Sequence, residues 1–290
     1  MRIHESIDRN GPFLSLEFFP PKEKEKWPQF FKVVEQLKQL SPLFASVTYG
    51  AGGSTSKNTL AIASKIRNDY GIETMPHLTC VGSKRKDITT FLNACTDAGI
   101  ENILALRGDY PEGKSYDPNT MDFRYAEDLV RFIKGTHPGM TVAVAGYPGA
   151  HPESSSIRND IMFLKNKIDA GSEFVVTQLF FDNRYYFDMV ERLRAMGVTA
   201  PIIPGVLPIQ SLQSVRRILS LSGASIPGDL YLELEAAQEK GGAAAVREMG
   251  IAFAARQIRE LLNGGAPGVH LYTLNKADMC LDIWNRVQAG

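Results

Sequence analysis

Phe13-Leu14-Ser15-Leu16-Glu17-Phe18-Phe19-Pro20-Pro21-Lys22-Glu23-Lys24 is the stretch that decides the fold. Its first six residues read as a short buried strand, closed by a Pro-Pro pair and a mixed-charge loop. A doubly wound dinucleotide-binding sheet needs a glycine-rich turn directly after its first strand, so that backbone amides can approach a pyrophosphate. No glycine occurs between Phe13 and Lys24. Working outward, seven further apolar runs of strand length follow at Phe44–Tyr49, Thr74–Cys80, Asn102–Arg107, Thr141–Tyr147, Phe174–Phe180, Pro201–Leu207 and Val269–Leu274. Helical patterns lie between them. In Trp27–Leu40 the residues Phe30, Phe31, Val33, Val34, Leu37 and Leu40 recur at three- and four-residue steps, and Ser154–Ala170 repeats the pattern behind a serine cap. Gly99, Gly171 and Gly197 stand where a left-handed residue would stop a helix before the next strand. The reading is α/β, a single (β/α)8 TIM barrel over residues 1–290, with a helical insertion at Ser222–Gly250 before the last strand.

Composition narrows the function. Thirty-two basic residues balance thirty-two acidic ones, which argues against a nucleic-acid partner, whose phosphates demand a basic excess. No apolar run reaches the roughly 20 residues of a bilayer span, and the start lacks the apolar region of a secretory signal. Cys80, Cys95 and Cys280 form an odd set without C-x-x-C spacing, so a cytoplasmic location is expected and a zinc centre is not. The five histidines show no i, i+4 pair, and no metal is expected. Gly108–Ser115 matches the G-x-x-x-x-G-K-[ST] phosphate loop. However, Asp109 and Glu112 would face the anion, Pro111 lacks an amide, and Tyr116-Asp117-Pro118-Asn119 is a poor helix start.

In such barrels chemistry collects at the C-terminal strand ends. Those ends hold Glu17, Thr48 and Tyr49, His77, Arg107-Gly108-Asp109, Tyr147 with His151 beyond it, Gln178, and Thr273 with Asn275 and Lys276 beyond it. Alternation puts Ser15 and Glu17 on one face of the first strand. A carboxyl in a dry barrel mouth is expected to have a raised pKa and to remain protonated as a general acid; the plain alternative is a strand-end Glu paired with a cation. Gly108 lets the backbone pass close to a flat ligand and Arg107 offers a planar fork of donors, unless it simply pairs with an acid. Gln178, in an apolar strand, serves either a heterocycle edge or a neighbouring strand.

Eight motifs then recur in order: Leu16–Pro21, Ser46–Gly50, Pro76–Cys80, Ala105–Asp109, Ala145–Glu153, Thr177–Asp182, Pro204–Ile209 and Tyr272–Lys276. Over roughly residues 11–285 the chain resembles the catalytic barrel of 5,10-methylenetetrahydrofolate reductases, in their short bacterial-type form without a regulatory domain. The resemblance implies an enzyme that holds FAD at the barrel mouth. NADH or NADPH would reduce the FAD and leave, and methylenetetrahydrofolate would then take the hydride in a ping-pong cycle. It implies Glu17 as the acid that opens the imidazolidine ring, and Asp109 beside flavin and pterin. It also implies Gln178 and Lys276 on the folate. Thr48, Tyr49, Ala51, His77, Arg107, Gly108, Asp109, Ala126, Tyr147, His151, Asp160 and Lys167 would contact FAD. Assembly into homo-oligomers and a place in methionine biosynthesis follow from the same resemblance. Four positions depart from it: Lys276 stands for an Arg, Asn166 and Phe163 for an Arg and an Asn near the adenosine half of FAD, and Ile218 for an aromatic over the ligand. A flavin-free lyase or transferase would want a strand lysine or a metal set. A non-enzymatic partner subunit would have lost Glu17 or Asp109; both are present.

Overall fold

The computed structural model describes residues 1–7, 11–48, 56–110, 120–149, 151 and 153–289. Nine parallel segments form one sheet: β1 Phe13–Phe18, β2 Ala45–Val47, β3 Thr74–Thr79, β4 Asn102–Leu106, β5 Thr141–Gly146, β6 Phe174–Thr177, β7 Ile202–Ile203, β8 Gly205–Val206 and β9 Gly268–Tyr272. Their order is β7-β6-β5-β4-β3-β2-β1-β9-β8. β7 and β8 are two halves of the strand expected at Pro201–Leu207, divided at Pro204, which has no N–H to give to a ladder. The first half pairs with β6 and the second with β9, and this pairing closes the barrel.

Helices α1 His4–Ile7, α2 Trp27–Lys38, α3 Ser56–Tyr70, α4 Arg85–Asp97, α5 Ala126–Thr136, α6 Ile157–Asp169, α7 Asn183–Ala195, α8 Leu212–Ser222, α9 Gly228–Asn263 and α10 Ala277–Gln288 complete the chain. α6 starts where a cap permits: the Ser156 side chain accepts from the Asn159 amide. Gly99, Gly171 and Gly197 take φ of +73°, +117° and +78°, the helix stops read from the sequence. The insertion is α9, bent at Gly242, where φ is +63° and ψ −153°. Gly250 lies so close to the Ile209 carbonyl that a Cβ would sit 2.1 Å from its oxygen. No helix among the described residues is long and apolar enough to cross a membrane.

Strand alternation separates two cores. Leu14, Leu16 and Phe18 turn outward into the cluster under the helices, whereas Phe13 turns inward to join Phe44, Met75, Leu104, Ala143, Phe174, Val176 and Ile203. Ile3, just before α1, and Ile7 at its end plug this inner cluster. Burying each such side chain contributes about 1.5–3 kcal/mol. The lower lumen is therefore a dry apolar floor, and the polar residues sit above it.

Candidate functional site

One step up β1 from Phe13 the inward positions become polar. Ser15, Ser46 and His270 are fully buried, and Glu17 and His77 are 6% and 8% exposed. Strand register brings them together, because Ser15 faces His270 and Glu17 faces Ser46 across the sheet. His77 Nε2 lies 3.4 Å and His270 Nε2 3.5 Å from Glu17 Oε2. The Ser46 hydroxyl, 3.3 Å from the same oxygen, donates to it and lies 3.0 Å from His270 Nε2. Ser15 Oγ donates to the Val269 carbonyl and lies 2.8 Å from His270 Nδ1. A hydroxyl has one proton to give, so Nδ1 carries its own hydrogen and donates it to Ser15. Nε2 is thereby turned toward Ser46 and the carboxyl.

Glu17 corrects the sequence reading. Burial does push its carboxyl up, as expected, but the hydrogen bond and charge of His270 and the charge and hydrogen bond of His77 outweigh burial. They hold it at about 2, against an ordinary 4.5. The resting group is a carboxylate between two imidazoles. Primary structure shows the dry pocket but not which partners will stand inside it.

Above this layer Tyr272, Gln178 and Tyr147 form a bridge. Tyr272 Oη donates to the Thr177 carbonyl at 3.0 Å and lies 3.3 Å from Gln178 Oε1, which also accepts from the Leu179 amide at 3.0 Å. Burial pushes both tyrosines up; Asp109 adds to it at Tyr147, while a Gln178 hydrogen bond opposes it there. Gln178 thus already serves neighbouring strands. A cavity of about 20 Å³ separates Tyr147 and Gln178 from Tyr185, Ser222 and Ser225. The larger groove, about 590 Å³ between Trp27, Phe31 and Tyr70, lies among the outer helices, away from this chemistry.

Of the remaining predicted residues, Arg107, Tyr147, His151, Asp160 and Lys167 gather around the loop after β5. The Arg107 fork is bound bidentately by Glu153 at 2.6 and 3.0 Å and is not an open donor set. This is the plain ion pair weighed from the sequence, with another acid as partner. Tyr147 packs edge-on against His151, at 4.7 Å between ring centroids, and the His151 amide donates to Asp160. Lys167 Nζ donates to the Ala145 carbonyl at 2.6 Å. Burial, partly offset by Asp160, lowers the Lys167 amine to about 8. Gly108 has φ +82°, and a Cβ there would meet Thr79 and Val81 at 2.9–3.1 Å. Packing against the β3 loop therefore requires this glycine, whether or not a ligand approaches. Asp109 and Lys276 are exposed, Thr48 is half-buried at the end of β2, and Ala126 opens α5. Tyr49 and Ala51 lie outside the described residues. Among the described residues no three His, Cys, Asp or Glu side chains are placed to hold a metal ion.

The sequence reading missed Ser46, His270 and Tyr272 as site residues. A signal existed: His270 and Tyr272 alternate with Val269 and Leu271, so both polar side chains of β9 face one way. Which way depends on closure of the barrel.

The family model described as methylenetetrahydrofolate reductase matches residues 2–288. The 5,10-methylenetetrahydrofolate reductase of Salmonella typhimurium is 34% identical over 270 residues, which cover 93% of this chain and 88% of that protein. Methylenetetrahydrofolate reductase (NADH) 1 of Arabidopsis thaliana is 38% identical over 94% of this chain, and the probable NADPH enzyme of Caenorhabditis elegans 37% over 97%. The chain spans less than half the length of these last two, 48% and 43%. Among solved structures, a Clostridium thermocellum protein that binds two copies of 5-methyl-5,6,7,8-tetrahydrofolic acid aligns with a TM-score of 0.64, at 13% identity over 99% of this chain and 98% of that one. At that identity the likeness speaks to the barrel fold.

Proposed function

This chain belongs to the methylenetetrahydrofolate reductase family, and from that premise we propose that it reduces 5,10-methylenetetrahydrofolate to 5-methyltetrahydrofolate with NADH or NADPH as reductant. The observation that carries the reading is the Glu17 carboxylate, buried in the barrel mouth between two imidazoles and a serine hydroxyl. The product keeps its new methyl group on N5, so the bond that breaks joins the methylene carbon to N10. N10 must leave as an amine and needs a proton, while the methylene carbon accepts a hydride. A positioned acid for such a proton is worth about 10²–10⁴-fold in rate.

Glu17 at about 2 is not loaded with that proton at rest. In this mechanism the proton comes from the buried chain behind it. A proton on His270 Nε2 passes to Ser46 Oγ, 3.0 Å away, as the Ser46 hydroxyl gives its own to Glu17 Oε2 at 3.3 Å. Glu17 then hands it to N10. The apolar floor beneath excludes water from the far side of the chain.

The donor set also fits the FAD expected at this mouth. Lys167 is a half-buried residue whose ammonium has a single nearby carboxylate, and a pyrophosphate would supply further negative charge. His77 Nε2 is buried and its contact with Glu17 Oε2, at 3.4 Å, is too loose for a well-aligned hydrogen bond, so it keeps capacity for a further partner. When bound, FAD would carry the hydride from nicotinamide to folate. Lys167 and His151 would hold its phosphates, with Asp160 accepting from the His151 amide and keeping that loop in place, Tyr147 and Gly108 would border it, and Asp109 would bias its potential. Arg107 would join them by exchanging Glu153 for a phosphate.

The test follows each half-reaction separately. Purified protein should take up FAD; a nicotinamide should bleach the flavin absorbance, and methylenetetrahydrofolate should restore it with formation of the 5-methyl product. Protein that takes up FAD yet transfers nothing to the folate would overturn the assignment.

A further inference from the structure

Phe19 is the first residue beyond β1, and continued alternation from Glu17 would aim it to the lumen side. Phe13 lies on that side in the inner cluster, and Phe18 between them is buried in the outer one. Phe19 is 36% exposed, and among the described residues no ring or cation stacks on it, whereas exposed Tyr110 and Tyr125 each carry a guanidinium at 5.6 and 5.9 Å. Yet its backbone is held at both ends. The Phe19 amide donates to Asn275 Oδ1 at 3.2 Å, and Asn275 Nδ2 donates to the Phe19 carbonyl at 2.7 Å. Asn275 itself is in the left-handed region, φ +56°, behind Leu274 at +47°. Side chains rarely adopt this conformation, and here Thr273 maintains it: its hydroxyl donates to the Glu17 carbonyl at 2.6 Å and accepts from the Asn275 amide at 3.1 Å. Pro20 further restricts Phe19 to extended backbone. The backbone that carries the exposed ring is thus fixed, stitched to the same strand end that holds the acid.

We propose that Phe19 is the platform on which the aminobenzoyl ring of the folate stacks, and that it sets affinity for the folate without taking part in proton or hydride transfer. The proposal rests on the folate reading above. N10, the atom Glu17 protonates, is bonded directly to the aminobenzoyl ring, so that ring must leave the site within a few ångströms of Glu17. Two residues of extended chain rise about 7 Å, so the Phe19 backbone stands about one ring's length beyond that of Glu17. The glutamate beyond the ring then emerges beside Lys276, the exposed cation next to the Asn275 clamp.

The experiment compares Phe19→Ala, Phe19→Leu and Phe19→Trp with the parent protein. It measures KM and kcat for methylenetetrahydrofolate, the rate of flavin reduction by nicotinamide, and calorimetric binding of 4-aminobenzoylglutamate as the probe. Phe19→Ala should raise KM and weaken the probe about tenfold, the scale of one aromatic pair plus its buried area. The same variant should change kcat and the nicotinamide step by less than about twofold. Phe19→Trp should restore binding and Phe19→Leu should not, a contrast that holds even if the alanine variant folds poorly. Unchanged KM and probe binding in Phe19→Ala, equal loss in both half-reactions, or full rescue by Leu would overturn the platform. A parent protein that reduces no folate overturns the functional reading itself, whereas an active parent with indifferent Phe19 variants overturns this inference alone.

Discussion

Replacing Glu17 by Gln removes one charge and keeps the shape. A carboxyl moved from 4.5 to about 2 is a carboxylate favoured by about 3 kcal/mol over its acid form. Because the folded value is the lower one, this stabilisation is present above pH 4.5 and lost as pH falls toward 2. Of the roughly 3 kcal/mol present at neutral pH, about 2 kcal/mol is gone by pH 3. Glu17→Gln has no such term. The stability difference between parent and variant should therefore shrink by about 2 kcal/mol between pH 7 and pH 3, read from denaturant midpoints at a series of pH values. In the half-reactions, Glu17→Gln should lose at least about 10²-fold in folate reduction and stay within a few-fold in flavin reduction. A stability difference that does not move with pH would show that the imidazoles do not hold the carboxyl down. Equal losses in both half-reactions would make Glu17 a structural residue.

Three further outcomes are expected. Lys167 at about 8 loses its charge above that pH, so FAD retention measured by fluorescence titration should weaken as pH rises past 8, and Lys167→Met should abolish that dependence while lowering affinity at least about tenfold. Glu153→Gln frees the Arg107 fork; since Glu153 is 60% exposed, unfolding stability should change by less than about 1 kcal/mol, and FAD should bind more tightly by a few-fold. Gly250→Ala forces a methyl against the Ile209 carbonyl, and thermal melts should show a loss of about 2 kcal/mol or more as α9 is pushed off the β8 loop.

Much of this protein was legible in one dimension. Eight apolar runs, the helix-stopping glycines and the glycine-free turn after Phe18 fix a barrel, because periodicity and backbone sterics are local properties. The polar strand ends named Glu17, His77 and Gln178, and Thr48 in part, for the same local reason. Two readings needed more. Pro201–Leu207 reads as one strand; that it divides at Pro204, and that its two halves pair with different neighbours and thereby close the ring, came only from the structure. Arg107 looked like an open fork, but its partner, Glu153, lies 46 residues away on another loop. The largest reversal is Glu17: its own strand shows that it is buried, while its charge is set by His77 and His270, the latter 253 positions along the chain. Burial follows from the pattern of a single strand, but electrostatic balance is a sum over neighbours, and only closure of the barrel decides who those neighbours are.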